Sequence, residues 1–549
     1  MPAAPDLRPT STKKSVLVGL LVGALVGTTM LLLRGTDALD SLEWRFVDTR
    51  TRTYMGSRPA DSGIVLATID GADLEMMKQQ FDYDWPWPLD INALAFRWMK
   101  EAGVRAVIVD VLHFDQGAGI EERPPGADVE AAKEAAKKAD DLALQYTELA
   151  RASEPGGPKR GVVLAYQLLA EGDAAPHASA VRGPVYADHL SRLPRLDPVC
   201  RFERSTAHLP VVRLLRAAAG VGFANVLPDG DGTVRRAHPF ARVGQRVVPS
   251  LPVAAALLLR EGAEATGTEI RLDGSVQRLD EDGTFYVNFH GGSDTYPRVR
   301  ASDMVLAGGE IEEWEEKGKV GPVPSVGTAV PEVVRNTVVI WGINAAGLKD
   351  VVSAPVFHNF PGPEFQATVL DNLLHGDGRV LLPAWARALI LIVVSLLVGG
   401  VGGASSVPTT GLVVLLVLAA GWIPGFLLFR DGTVLDVVTP SLAVVLSAAG
   451  VAGFKLITEG RRNRWLEGTF GKYLSPSVIE ALKQDPTLIQ LGGRRTEITV
   501  LFSDIQGFTT ISEKLAPEDL IRLLNRYLTR QSAEVLAEEG VIDKFIGDA

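Results

Sequence analysis

The chain has 549 residues, too many for one folding unit and enough for about three or four. Its 55 Lys and Arg stand against 66 Asp and Glu, a formal net charge of -11, which excludes a general nucleic-acid binder with a basic face. The single cysteine, Cys200, excludes an intrachain disulfide and a cysteine-built metal site.

Hydrophobic residues make up 46% of the chain and are concentrated in blocks. The first block, Val16 to Leu33, carries no charge and is long enough to span a bilayer. Lys13 and Lys14 precede it as they would precede a secretory signal. The block is longer than a signal core, however, and runs into Arg34 without a small-residue cleavage site, so an uncleaved anchor is expected. Three more blocks lie at 388–407, 411–429 and 435–454. Gly399 and Gly403 form a small-xxx-small pair that permits close helix packing. Lys13 and Lys14 before the first block, and Lys455, Arg461, Arg462 and Arg464 after the last, place both ends of the four-span region in the cytoplasm. A multi-pass protein of the inner (plasma) membrane is expected, with residues 1–15 cytoplasmic, 16–33 the first span and 34–380 outside.

The outer region alternates strand-like and helix-like stretches, which predicts an α/β fold. IVLATID, RAVIVDVLHF, GVVLAY, TFYVNF and NTVVIWG read as strands. Leu89 to Ala102 has helical spacing, and Ala127 to Ala152 reads as a long polar helix. WRFVDTRTR, IVLATIDGADL, WPWPLD, RAVIVDVLHF, PDGDGTVRR, GINAAGLKDVVSAP and FPGPEFQATVLDNLL together resemble, in that order, the type-2 CHASE sensor domain of bacterial receptors. That resemblance implies an extracytoplasmic sensor between a first span and a three-span bundle, answering an unknown stimulus. Asp229 and Asp231 are read as part of a β-turn in preference to a calcium loop, because no longer series of oxygen ligands ending in Glu follows. Trp85 and Trp87 are either a ligand platform or, the favoured reading, turn residues packed on the core. Lys349 and Asp350 are either functional or a surface ion pair.

After the last span, residues 455–493 read as a cytoplasmic coupling segment. The spanning helix can continue to about Gly468, and Ser475 with Pro476 opens a short helix to Lys483. A basic, lipid-facing tether is the plainer reading of the same stretch. GTFGKYLSPSVIEAL is similar to the lead-in of many bacterial receptor cyclases, which favours coupling.

Residues 494–549 carry the chemistry. EITVLFSDIQGFTTISE reads as a buried strand ending in Asp504, then a Gly507 turn that lets the backbone approach a phosphate. Pro517 opens an amphipathic helix that Gly540 closes. VIDKFIGDA then reads as a second strand, with Ile542, Lys544, Ile546 and Asp548 on one face. Two converging carboxylates repel unless they share cations, so Asp504 and Asp548 are candidates for Mg²⁺. A structural ion pair, Asp548 with Lys544, is the alternative.

LFSDIQGFTTISE and VIDKFIGDA resemble the two opening motifs of the class III nucleotidyl cyclases. The resemblance implies the N-terminal part of an α+β, ferredoxin-like βαββαβ domain and the conversion of ATP to cyclic AMP and pyrophosphate by a homodimer. By that likeness Asp504, Asp548 and the carbonyl of Ile505 hold two divalent cations, Mg²⁺ or Mn²⁺. Gly507, Phe508 and Thr509 lie along the triphosphate, and Lys544 reads the purine. A lysine there can donate to adenine N1 but meets an N–H donor at guanine N1. Gln506 departs from the family's commoner Arg or Glu. The family domain continues with a second purine contact and a transition-state Asn and Arg, none of them in this chain. The chain alone is therefore expected to be inactive while its parent is a cyclase.

The competing expectation is a sensory receptor whose cytoplasmic domain is degenerate and only binds nucleotide or a partner. Membrane lipid is an expected partner and nucleic acid is not. No histidine-kinase boxes and no GGDEF signature occur.

Overall fold

The computed structural model describes residues 12–112, 129–151, 159–170, 196–260, 262–319, 331–345, 350–470, 497–538 and 540–548. Four helices are long and apolar enough to cross a membrane: Lys13–Leu33, Ala384–Ala404, Val407–Arg430 and Val438–Thr458. The chain divides into two compact units, Leu31–Leu391 with Ala419–Ser441, and Met1–Met30 with Ile392–Leu418 and Leu442–Ala549.

The first unit is a three-layer α/β/α domain. After helix α1 (Thr12–Leu33), which belongs to the second unit up to Met30, come α2 (Asp37–Tyr54), β1 (Ile64–Ile69), α3 (Gly71–Phe81), α4 (Leu89–Glu101) and β2 (Ala106–Asp110). Next come α5 (Val129–Arg151), β3 (Gly161–Leu169), β4 (Thr206–His208), β5 (Gly220–Phe223) and α6 (Leu251–Leu259). Then follow β6 (Arg298–Arg300), α7 (Ala301–Glu316), β7 (Val338–Ile343) and α8 (Gly362–His375). The sheet order is β6-β1-β7-β2-β3-β4, with β5 also paired to β3. Every pairing is parallel except β3 with β4.

Parallel strands covered on both faces need apolar side chains on both faces, and these have them. Val65, Ala67, Val107, Val109, Val339 and Trp341 enter one core with α4, α5 and α7. Their neighbours Ile64, Leu66, Ile108, Val338 and Ile340 enter the other with α6 and α8. Phe96 sits 4.8 Å from the Tyr146 ring and 6.1 Å from Trp341, tying α4, α5 and the sheet together.

Two expectations need correction here. Helix α5 is not polar throughout: Ala136, Ala139, Leu142, Tyr146 and Leu149 are buried at helical spacing, so small alanines supply a packed stripe. Only Phe285 and Tyr286 of TFYVNF form a strand, paired with Arg236 and Ala237. Trp87 is buried and Trp85 packs against the same core, as the favoured reading of the pair expects. Lys349 and the Pro476–Lys483 helix lie outside the described residues.

The second unit holds membrane helices α9 (Ala384–Ala404), α10 (Val407–Arg430) and α11 (Val438–Phe470) over the portions assigned to it. Helices α1 and α9 run antiparallel with their backbones in contact. A Cβ added at Gly19 would lie 2.0 Å from the Gly399 carbonyl oxygen, one at Gly23 2.3 Å from that of Ser395, and one at Gly403 2.3 Å from that of Ser15. Gly399 and Gly403 therefore use their missing side chains, and Gly19 and Gly23 are their partners. The same unit contains α12 (Phe508–Ser512) and α13 (Pro517–Ala537).

Candidate functional site

The first of the two motifs centres on the Gly507 turn. Gly507 has φ +74°, the left-handed region that favours glycine, and it starts α12. The Phe508 amide donates to the Ile505 carbonyl at 3.2 Å, and the Thr510 amide to the Gly507 carbonyl at 3.1 Å. The Ser512 hydroxyl donates to the Thr509 carbonyl at 2.8 Å. Helix α13 starts at Pro517 with Glu518 and Asp519 in its first turn, favourable against the helix dipole. The Gln531 amide donates to the Ser503 hydroxyl, a link from α13 to the stretch before Asp504 that the motifs do not signal.

The two expected strands are not formed. Residues 498–503 and 541–546 enter no ladder among the described residues, and their apolar side chains lie open: Phe502 is 91% exposed, Leu501 74% and Ile546 67%. A strand is completed by a neighbour's backbone, and none is paired with either stretch. Asp504 is exposed and Asp548 half-buried, and neither forms an ion pair among the described residues. Lys544 lies 3.7 Å from Asp543 rather than against Asp548, so the ion-pair alternative is not the arrangement found. Bare carboxylates and a backbone carbonyl are hard oxygen donors, the set that Mg²⁺ or Mn²⁺ takes.

Several polar clusters lie among the described residues of the first unit. The Arg235 guanidinium bridges Asp48 of α2 bidentately, and donates to Asp229 at 3.3 Å and Asp231 at 2.9 and 2.7 Å. Arg236 takes the other Asp229 oxygen at 2.6 Å. The Gly232 amide closes a turn on the Asp229 carbonyl at 2.9 Å. PDGDG is thus a turn whose carboxylates are occupied by arginine.

Asp61, Asp371 and His375 converge closely enough to suggest a metal. Asp371 is already filled, however, by Arg58 at 2.6 Å, the Asp61 amide at 2.9 Å and the Tyr296 hydroxyl at 3.0 Å. Burial pushes its pKa up, but the Asp61 amide and Arg58 outweigh that and hold it below the usual value.

Glu43 of α2 accepts the Val437 and Val438 amides at 2.9 Å each, capping the first turn of α11. Burial, then the charge of Asp436, push its pKa up to about 7. Asp350, one of the two residues of undecided role, is shifted up to about 6 by burial. Asp110 at the end of β2 is raised by burial and by Asp350.

A model of the CHASE2 domain matches residues 21–401, more than half of the chain. A model of the adenylate and guanylate cyclase catalytic domain matches residues 493–549. An adenylate cyclase of Anabaena cylindrica is 36% identical over 87 residues, 16% of this chain and 16% of that protein. Adenylate cyclase 1 of Rhizobium meliloti is 44% identical over 61 residues, 11% of this chain and 9% of that protein. An uncharacterized protein of Mycobacterium tuberculosis is 32% identical over 98 residues, 18% of each chain. The chain therefore spans less than a fifth of these relatives' length. No solved structure matches.

Proposed function

The chain belongs to the CHASE2 domain family, and from that premise we propose that it belongs to a membrane receptor adenylate cyclase. The complete protein would turn ATP into cyclic AMP and pyrophosphate as a homodimer, under the control of a stimulus met outside the cytoplasm. The observation that carries this reading is the co-occurrence of a CHASE2 match with a cyclase match in which Asp504, Lys544 and Asp548 are all present.

In this reading residues 34–380 sense, the four spans transmit and 455–493 couple to the catalytic segment at 494–549. The N-terminus and the catalytic segment are cytoplasmic and the sensor is outside, supported by the flanking lysines and arginines. Asp504, Asp548 and the Ile505 carbonyl would hold two divalent cations. Bound there, the cations supply charge stabilisation at the reacting phosphates. Gly507, Phe508 and Thr509 would lay backbone along the triphosphate, and Lys544 would donate to adenine N1.

The test is cyclic AMP production from ATP by the complete gene product in membranes. Turnover is expected with Mg²⁺ or Mn²⁺, to stop with EDTA and to return when metal is restored. Nucleotide binding without turnover would instead support a degenerate, non-catalytic domain.

A further inference from the structure

In the second unit a groove of about 290 Å³ runs along the membrane helices. Gly402, Thr410 and Val414 form one wall, and Val445, Ala448 and Ala452 the other. The side chains are small, and the floor is sealed where Gly402 packs tightly: a Cβ there would lie 3.3 Å from Thr410 and 3.4 Å from Val451. Lys455 closes one end and donates to the Ser405 carbonyl. That uses one of three ammonium donors, and Lys455 makes no other bond among the described residues.

We propose that this groove holds one acyl chain of an anionic phospholipid, with its phosphate on Lys455. Both walls belong to helices long and apolar enough to cross a membrane, so what lies in the groove is a bilayer component. From Val445 to Lys455 the groove rises about 15 Å at 1.5 Å per residue. That is about half of a ~30 Å hydrocarbon core, the depth of one leaflet. Its single ionisable wall residue is a cation at the leaflet edge, and Arg461, Arg462 and Arg464 follow in the sequence. Such a basic edge selects a negative headgroup, at about 1 kcal/mol per lysine, or about fivefold in affinity. The chain thus distinguishes lipids at the helix that leads to the catalytic segment.

Native mass spectrometry of the purified chain tests this, with palmitoyl-oleoyl phosphatidylglycerol and the matching phosphatidylcholine as probes. One phosphatidylglycerol should be retained in preference to phosphatidylcholine. Lys455→Gln should cut that preference about fivefold while leaving phosphatidylcholine unchanged, and Lys455→Arg should keep it. Ala449→Phe, which fills the groove, should remove both lipids. Equal retention of the two lipids by the wild type, or retention indifferent to Lys455→Gln, would overturn the proposal. So would efficient disulfide dimers of Ala449→Cys in lipid-rich membranes, which would assign the groove to a second copy.

Discussion

Arg235 meets Asp48 through two parallel hydrogen bonds, Nε to Oδ1 at 2.6 Å and Nη2 to Oδ2 at 2.9 Å. The pair joins the helix just after the first span to the PDGDGTVRR turn, 187 residues away. The Arg235 side chain is 1% exposed, and Asp229 and Asp231 share its charge. Arg235→Ala leaves three carboxylates around a buried vacancy and should cost about 3–5 kcal/mol. Arg235→Lys keeps the charge but loses the planar fork, and should recover part of that. Thermal unfolding of the purified chain checks this; a loss below about 1 kcal/mol would contradict it.

Glu43 should make stability depend on pH. Its folded value of about 7 lies above the ordinary 4.5, so between those values the folded chain holds more protons than the unfolded one. Its contribution is present below pH 4.5 and lost as pH rises through about 7, a change of about 3 kcal/mol. The charges facing it are Asp436 and Arg50, the latter 3.6 Å away. Glu43→Gln keeps an amide acceptor but cannot titrate. The stability difference between wild type and variant should therefore shift steadily across that window, and a flat difference would refute it.

Gly19 has the Gly399 backbone where a side chain would go. Gly19→Leu must push α1 and α9 apart and should cost about 1–3 kcal/mol or more. Leu21→Ala, at a position 61% exposed within a spanning helix, should change the unfolding temperature in detergent far less. Equal effects of the two substitutions would argue against the glycine contact.

Lys544 is the proposed purine reader. In the complete gene product Lys544→Glu should weaken the preference for ATP over GTP about tenfold or more, since it exchanges a donor for an acceptor facing purine N1. The ratio of the two turnover rates measures this, and an unchanged ratio would reject the role.

The parallel strands were legible because burial on both faces demands continuous apolar runs such as IVLATI, and the spans because they are long and uncharged. Contacts between distant segments were not. Nothing local to Glu43 signals that it caps a helix 395 residues later. Gly399 and Gly403 were visible as a pair, but small-xxx-small spacing recurs in glycine-rich helices, so their partners Gly19 and Gly23 emerged only from packing. The alanines of α5 read as polar surface because an alanine stripe carries little hydrophobic contrast. In the candidate site, the turn at Gly507 and the helix from Pro517 follow from local chemistry. The stretches around Phe502 and Ile546 have strand patterning, but pairing depends on backbone supplied from elsewhere.

Cyclic AMP formation by the complete gene product, wild type against Asp504→Ala at equal membrane expression, tests the central claim most directly. The account predicts metal-dependent turnover in the wild type and its loss, by at least about a hundredfold, in the variant. Turnover that survives Asp504→Ala would contradict it.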